Sequence, residues 1–85
     1  MQMKLEHTFS IVSGGSRGIG LEISNQLLEK GSEVIILDKQ PPDKEILSRK
    51  KKLSYVFCDL SLEKDILSFF KNYSLPTDKE IILVN

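Results

Sequence analysis

Four short apolar runs recur along the chain, at residues 8–13, 34–37, 55–58 and 81–84. Each run is four to six residues long, and several have almost no polar interruption. A continuous apolar run of this length is typical of a strand that is buried on both faces, as in a parallel sheet. The pattern therefore predicts four β-strands, with the first two lying centrally in a parallel sheet.

The segment after the first run has the spacing of an amphipathic helix. Its apolar residues recur at i, i+4 and i+8, and they are Ile19, Ile23 and Leu27, with Leu28 beside them. Lys30 and Gly31 then supply a cation and a left-handed stop, which are both favourable where a helix ends. The pattern predicts one helix that ends at this glycine.

Two further helices are predicted. After Pro41-Pro42, Asp43 is suited to cap a short helix that runs to about Lys52 and has Ile46, Leu47 and Leu53 as its apolar face. Ser61 is the expected N-cap of the third helix, which Pro76 closes. The apolar stripe of this third helix consists of Leu62, Ile66, Phe69, Phe70 and Tyr73.

Alternation of strands and helices indicates an α/β protein. Right-handed crossovers would place the strands in a Rossmann-like parallel sheet of order 3-2-1-4 with helices on both faces. Ligands bind such sheets at the carboxyl ends of the strands. Residues 13–20, Asp38, Asp59 and Asn85 all follow predicted strands, so we expect them to share that edge.

Residues 13–20 read Ser-Gly-Gly-Ser-Arg-Gly-Ile-Gly, and they join the first strand to the first helix. Glycines in such a turn allow a positive φ and a close approach of backbone to ligand, while the helix N-terminus favours an anion. Asp38 follows Gly20 by 18 positions, close to the roughly 20 expected for a carboxylate that binds a ribose. No Gly-Lys-Ser/Thr closes the loop, which excludes a P-loop. The pattern predicts a dinucleotide pyrophosphate site.

Composition narrows the range of partners and locations. The 85 residues fit one small domain at most, and 12 basic residues balance 12 acidic ones, which argues against nucleic acid or an anionic membrane as the partner. No run is long enough to span a membrane, and residues 1–7 lack the apolar core of a signal peptide. We therefore expect a cytoplasmic location. Cys58 is the single cysteine and is expected to be buried packing.

These motifs resemble the short-chain dehydrogenases/reductases. The family pattern Thr-Gly-x-x-x-Gly-x-Gly is matched by Ser13-Gly14-x-x-x-Gly18-Ile19-Gly20, with serine in place of threonine. Asp38 matches the acidic residue at the end of the second strand, Asp59-Leu60 matches an Asp-Leu pair after the third, and Asn85 looks like the first residue of an Asn-Asn-Ala-Gly block after the fourth. The resemblance covers essentially the whole chain but only about the first third of a family member.

The resemblance implies that residues 1–85 are the N-terminal part of a dinucleotide-binding domain. Ile19 and the glycines would hold the pyrophosphate, Asp38 the adenosine ribose, and Asp59 with Leu60 the adenine, although Asp59 is equally suited to begin a turn. Arg17 would favour NADP while Asp38 would repel its extra phosphate, so NAD is the expected cofactor and NADP the alternative. The predicted cofactor-binding residues are Ser13, Gly14, Ser16, Arg17, Gly18, Ile19, Gly20, Asp38, Lys39, Asp59, Leu60 and Asn85.

The resemblance also implies an inactive segment, because the family's catalytic serine and Tyr-x-x-x-Lys pair come after the fourth strand. Tyr55 is expected at the far end of the third strand and Tyr73 on a core-facing stripe, so neither replaces the catalytic tyrosine. One alternative is a naturally short, non-catalytic remnant that binds a nucleotide or another chain; a methyltransferase is a weaker one. The apolar edge of the fourth strand would favour self-association.

Overall fold

The computed structural model describes residues 4–85, except for the side chain of Arg49. Strands and helices alternate along the chain without interruption. The elements are β1 (Thr8–Ser13), α1 (Gly18–Glu29), β2 (Glu33–Asp38), α2 (Lys44–Arg49), β3 (Leu53–Phe57), α3 (Glu63–Asn72) and β4 (Glu80–Val84).

The four strands form one parallel sheet in the order β3-β2-β1-β4. In the register of this sheet Ser13 lies opposite Leu37, Val12 opposite Val84, and Asp38 opposite Phe57. The carboxyl ends of all four strands therefore meet at one edge, which we call the rim. The predicted Rossmann-like topology is confirmed.

Successive residues of a strand point to opposite faces, and each face of the sheet carries its own apolar cluster. The cluster on the α3 face consists of Phe9, Ile11, Ile35, Leu37, Cys58 and Phe69. The cluster on the α1 and α2 face consists of Val12, Val34, Ile36 and Leu53, with Tyr55 packed against it. Cys58 is fully buried in the first cluster, so its predicted packing role is confirmed.

Helix α1 ends as predicted, but its first turn is less buried than predicted. Gly31, just past its C-terminus, has a φ of +97°, as expected for a left-handed stop. Ile19, however, is 82% exposed, so its assignment to the buried stripe was wrong. The residue of α1 that is fully buried is Ser24, whose hydroxyl donates to the carbonyl of Gly20 at 2.9 Å. The first turn of α1 lies at the rim, where Ile19 has no part of the sheet to pack against.

Helix α2 is shorter than predicted. Asp43 caps it as expected, because its carboxylate accepts from the backbone N–H of Glu45 at 3.1 Å. The helix ends at Arg49 instead of Lys52, and Leu53 belongs to β3. Leu53 is buried there in the sheet, where it removes more apolar surface from water than it would on the face of a short surface helix.

Helix α3 begins at Glu63 with Leu62 at the N-cap position and no capping side chain, so the prediction of Ser61 as N-cap was wrong. Of the predicted stripe, Phe69 is buried and Tyr73 stacks on it at 5.1 Å between ring centroids. Phe70 and Leu62 remain 45% and 41% exposed. Two of the five stripe residues are therefore exposed.

Strand β4 forms where predicted but is not buried on both faces. Leu83 is 65% exposed and Ile81 is 40% exposed. Because β4 is an outer strand that pairs only with β1 in the described sheet, its side chains receive much less cover than those of β1 and β2. The four consecutive apolar residues correctly predicted a strand. The burial of their side chains, however, depends on the outer position of β4 in the sheet.

Three hydroxyl groups meet inside the sheet at the end opposite the rim. Ser32, which lies between α1 and β2 in the chain, is fully buried; its hydroxyl lies 2.7 Å from that of Ser10 and 2.9 Å from that of Thr8. The Thr8 hydroxyl also lies 2.7 Å from the carbonyl oxygen of Leu5. Buried hydroxyls that bond to one another avoid the free-energy penalty of an unpaired polar group. The strand ends far from the rim are thus joined by specific bonds as well as by apolar packing.

Candidate functional site at the rim

The loop that follows β1 is tied to both neighbouring strands. The backbone N–H of Gly14 donates to the carbonyl of Leu37 in β2 at 2.8 Å. On the other side, the hydroxyl of Ser13 donates to the carbonyl of Val84 in β4 at 3.0 Å and lies 3.4 Å from the side-chain oxygen of Asn85. These bonds bring Ser13, Gly14 and Asn85 together at the rim, as the sequence predicted.

Glycine is required in this loop for two physical reasons. Gly14 and Gly18 have φ values of +69° and +60°, a region that L side chains rarely adopt. Gly20 lies against the turn itself, so that a Cβ on it would overlap the carbonyl oxygen of Gly14. The loop folds back on the first turn of α1 because residue 20 has no side chain.

The N-terminus of α1 is open at the rim. Arg17 occupies the N-cap position in an extended conformation, and its side chain forms no capping bond. Arg17, Gly18 and Ile19 are all exposed. The first N–H groups of a helix lack intrahelical acceptors, and together with the helix dipole they attract an anion. The geometry therefore presents backbone donors and a guanidinium at one surface position.

Asp38, the last residue of β2, connects two segments of the rim. One carboxylate oxygen accepts from the backbone N–H of Ser16 at 3.3 Å and the other from that of Gln40 at 3.1 Å. The Ser16 hydroxyl donates in turn to the carbonyl of Gln40. Residues 13–20 and 38–40 are therefore joined through a half-buried carboxylate, a link that the sequence did not predict.

The bonds to Asp38 also change its acidity. Burial raises the pKa of Asp38, but the hydrogen bonds from Gln40, Ser16 and Lys39 together outweigh burial and hold the pKa below its ordinary value. A carboxyl whose pKa is lowered by folding stabilises the fold above its unfolded pKa, and this contribution is lost as the pH falls through the folded pKa.

We expect the free energy of unfolding to fall as the pH drops below about 4, near the ordinary pKa of an aspartate, because the unfolded chain then takes up a proton at Asp38 more readily than the folded chain does. In Asp38→Asn the fall should be smaller, whereas Asp78→Asn, at an exposed position, should follow the unchanged chain. Urea unfolding at a series of pH values measures this. Equal acid sensitivity in all three chains would contradict the role of the Asp38 bonds.

Tyr55 lies at the rim side of the sheet, not at the far end where it was expected. Tyr55 pairs with Ile36 in the middle of β2. Its side chain extends toward the rim, where the hydroxyl donates to the carbonyl of Asp38 at 3.0 Å. Burial raises the pKa of this hydroxyl, and the charge of Asp38 raises it further. The prediction was wrong because it placed Tyr55 as the opening residue of β3, whereas the strand begins two residues earlier.

Asp59 forms the turn that leads from β3 to α3. Its carboxylate accepts from the N–H of Ser61 at 3.0 Å and from the Ser61 hydroxyl at 2.6 Å. These bonds lower the pKa of Asp59, and the nearby charge of Lys39 adds to the effect. Of its two expected roles, turn formation is observed. Lys39 is itself exposed.

An apolar cavity of about 330 Å³ opens beside the rim on the α3 face. Leu60, 40% exposed, lies in its wall. The remaining wall residues come from β1, β2, β4 and α3 and from the residue after β4; among them are Ile11, Leu37, Phe70, Leu83 and Asn85. A cavity of this size and composition is suited to a flat apolar group with a polar edge. Leu60 and Asn85, both predicted site residues, meet here.

Two classes of feature are not found in the described part of the chain. Within residues 4–85 no helix is long and apolar enough to cross a membrane. The same residues contain no group of three or more histidine, cysteine, aspartate or glutamate side chains placed to hold a metal ion.

The fold and the rim define a Rossmann-like α/β protein with a glycine-rich first turn. A family model described as short chain dehydrogenase matches residues 8–85. The chain therefore belongs to the short-chain dehydrogenase family. It is 39% identical over 61 residues to the short-chain dehydrogenase/reductase ascJ of Acremonium egyptiacum, a match that spans 72% of this chain and 20% of ascJ.

Solved structures show the same fold. RhlG of Pseudomonas aeruginosa, in its NADP active-site complex, is 32% identical with a TM-score of 0.67 over 80% of this chain and 28% of RhlG. A short chain dehydrogenase from Leptospira borgpetersenii, solved with bound NAD+, has a TM-score of 0.69 at 24% identity over 80% of this chain and 26% of that protein. The chain thus spans about a quarter of these structures and a fifth of ascJ.

Proposed function

We propose that the rim binds a nicotinamide dinucleotide, as the NAD+ and NADP complexes of the two structural relatives suggest. The observation that carries the proposal is the hydrogen bond that joins residues 13–20, which we call the glycine loop, to Asp38 at the end of β2. This bond places backbone N–H groups that can bind an anion beside a half-buried carboxylate. A pyrophosphate suits the open helix N-terminus, and a ribose diol suits the carboxylate.

The proposed contacts with the cofactor follow from the resemblance to the family and from the positions of these residues at the rim. The turn from Ser13 to Gly20, including Ser16 and Arg17, would receive the pyrophosphate, with exposed Ile19 covering it. Asp38 and Lys39 would face the ribose, and Asp59 with Leu60 the adenine. Asn85 would contact the cofactor beyond the pyrophosphate. We propose NAD as the preferred dinucleotide, because a carboxylate at the ribose repels the additional phosphate of NADP.

The family is one of oxidoreductases, and we propose that the rim serves such a reaction in the cytoplasm. The 85 residues contain no Tyr-x-x-x-Lys motif. The hydroxyl of Tyr55 is bonded to a backbone carbonyl, and Tyr73 stacks on Phe69. We therefore propose that the 85-residue chain binds the cofactor but does not by itself catalyse its reduction or oxidation.

Titration of the 85-residue chain tests the proposal. NAD should bind with a Kd of about 1 mM, because all the contacts proposed within this chain, except that of Asn85, are to the adenosine and the pyrophosphate. ADP-ribose should bind within about threefold of NAD, while nicotinamide mononucleotide should bind far more weakly. Amide chemical shifts of residues 14–20 report the binding. Equal affinities for ADP-ribose and nicotinamide mononucleotide, or no binding of NAD, would contradict the proposed cofactor site. Reduction of the cofactor by this chain with any of a panel of alcohols would contradict the proposed lack of turnover.

A second proposed role is self-association through β4. The observation that favours it is the exposed edge of this strand, where Leu83 and Ile81 are uncovered, since an unpaired apolar edge can pair with another strand. In size-exclusion chromatography the apparent mass should rise with concentration. Leu83→Glu should restore a monomer, whereas Leu67→Glu, at a position on α3 that is similarly exposed, should not. A monomer at every concentration would exclude this role.

A further inference from the structure

Tyr55 forms a contact that sheet pairing does not require. Its ring packs in the apolar cluster on the α1 and α2 face, and its hydroxyl donates to the carbonyl of Asp38 at 3.0 Å. That carbonyl already accepts the backbone N–H of Cys58 at 3.0 Å. The Tyr55 hydroxyl is therefore a second donor to a group that is satisfied without it.

The carbonyl of Asp38 lies where β2 stops and the chain turns toward Gln40. The N–H of Lys39 belongs to the same peptide plane, so two donors on this carbonyl fix the plane from which the turn departs. The side chain of the same residue accepts from Ser16 and Gln40. Asp38 is thus held at its backbone by β3 and at its carboxylate by the glycine loop and the turn.

We propose that Tyr55 is a positioning residue for the Asp38 carboxylate, and that its hydroxyl sharpens the selection of NAD over NADP at the rim. This inference rests on the proposed function. Discrimination between a ribose diol and a ribose phosphate depends on where the carboxylate lies, because both hydrogen bonding and repulsion change steeply with distance and direction. A carboxylate whose peptide can rotate would reject the phosphate less well.

Removal of the hydroxyl alone isolates this effect. In Tyr55→Phe the ring still fills the cluster, and the Asp38 carbonyl keeps its bond from Cys58, so no buried acceptor is left unpaired. A neutral hydrogen bond of ordinary strength corresponds to about a two- to tenfold change in an equilibrium. We expect the ratio of NAD to NADP affinity to fall by about this factor.

Tyr73→Phe is the matched control. Tyr73 is the other tyrosine of the chain, it stacks on Phe69 beneath α3, and it loses the same atom on the opposite face of the sheet. Both variants and the unchanged chain are titrated with NAD and with NADP, and the backbone amides of Ser16 and Gln40 are recorded without cofactor. Urea unfolding shows whether a change is local or global.

A lower NAD to NADP ratio in Tyr55→Phe but not in Tyr73→Phe, with shifted amides of Ser16 and Gln40, supports the inference. An unchanged ratio, or an equal change in both variants, overturns it. If the unchanged chain binds neither dinucleotide, the proposed function fails. The amide shifts then decide the positioning role alone, and their absence in Tyr55→Phe would overturn it.

Discussion

Gly20→Ala is expected to abolish detectable NAD binding by this chain and to destabilise its fold. The added methyl group would overlap the carbonyl oxygen of Gly14, a backbone atom that cannot rotate away. The loop must then move away from the first turn of α1, which would displace the backbone N–H groups proposed to bind the pyrophosphate. Overpacking of this kind costs about 1–3 kcal/mol, a large part of the stability of so small a domain.

Gly31→Ala separates the two effects, because Gly31 lies at the other end of the same helix. Its φ of +97° makes alanine unfavourable there, and the nearest atom belongs to the flexible side chain of Glu6. A left-handed residue costs about 1–2 kcal/mol, so stability should fall while NAD affinity stays unchanged. Urea unfolding and NAD titration of both variants provide the comparison. Normal NAD binding by Gly20→Ala would refute the phosphate role of the loop.

Asp38→Ala is expected to reverse the preference between the two dinucleotides. NAD affinity should fall about 10- to 100-fold, because hydrogen bonds to a charged acceptor contribute about 1.5–3 kcal/mol. NADP affinity should rise or stay unchanged, since the repelling carboxylate is gone while Arg17 and Lys39 remain. Competitive titration of NAD and NADP with the variant measures both changes.

Asp38→Asn distinguishes charge from hydrogen bonding. The amide keeps one oxygen that can accept from Ser16 or Gln40 but carries no charge. We expect its NADP affinity to match that of the alanine variant, and its NAD affinity to be higher. Preference for NADP by the unchanged chain would show that Arg17 dominates and that the assignment of NAD is wrong.

The topology could be predicted because each strand is a separate apolar run and each helix has its own stripe. Parallel strands with right-handed crossovers leave few arrangements, and the observed order is the predicted one. The same topology placed Ser13, Asp38 and Asn85 at one edge. Spacing in the sequence is sufficient for such conclusions, because they depend on strand order alone.

Errors arose where a boundary or the burial of a side chain depends on tertiary neighbours. Leu53 and Tyr55 were misplaced because β3 begins earlier than its apolar run suggests. Ile19 follows the helical spacing, but the rim offers it nothing to pack against. The bonds among Ser16, Asp38 and Gln40 carry no sequence signal, since they depend on how two turns meet.

The buried hydroxyl groups of Thr8, Ser10 and Ser32 lie at the end of the sheet opposite the rim, yet they bear on the geometry of the rim. Apolar packing is not directional, whereas the three bonded hydroxyls require specific donor and acceptor positions and so add to the packing that fixes the alignment. A slip of β1 against β2 by one residue would displace the glycine loop from Asp38 by about 3.3 Å and turn every side chain to the wrong face. The three hydroxyl groups thus help to fix the register of β1 against β2. The distance between Ser16 and Asp38 therefore depends in part on hydrogen bonds at the opposite end of the sheet.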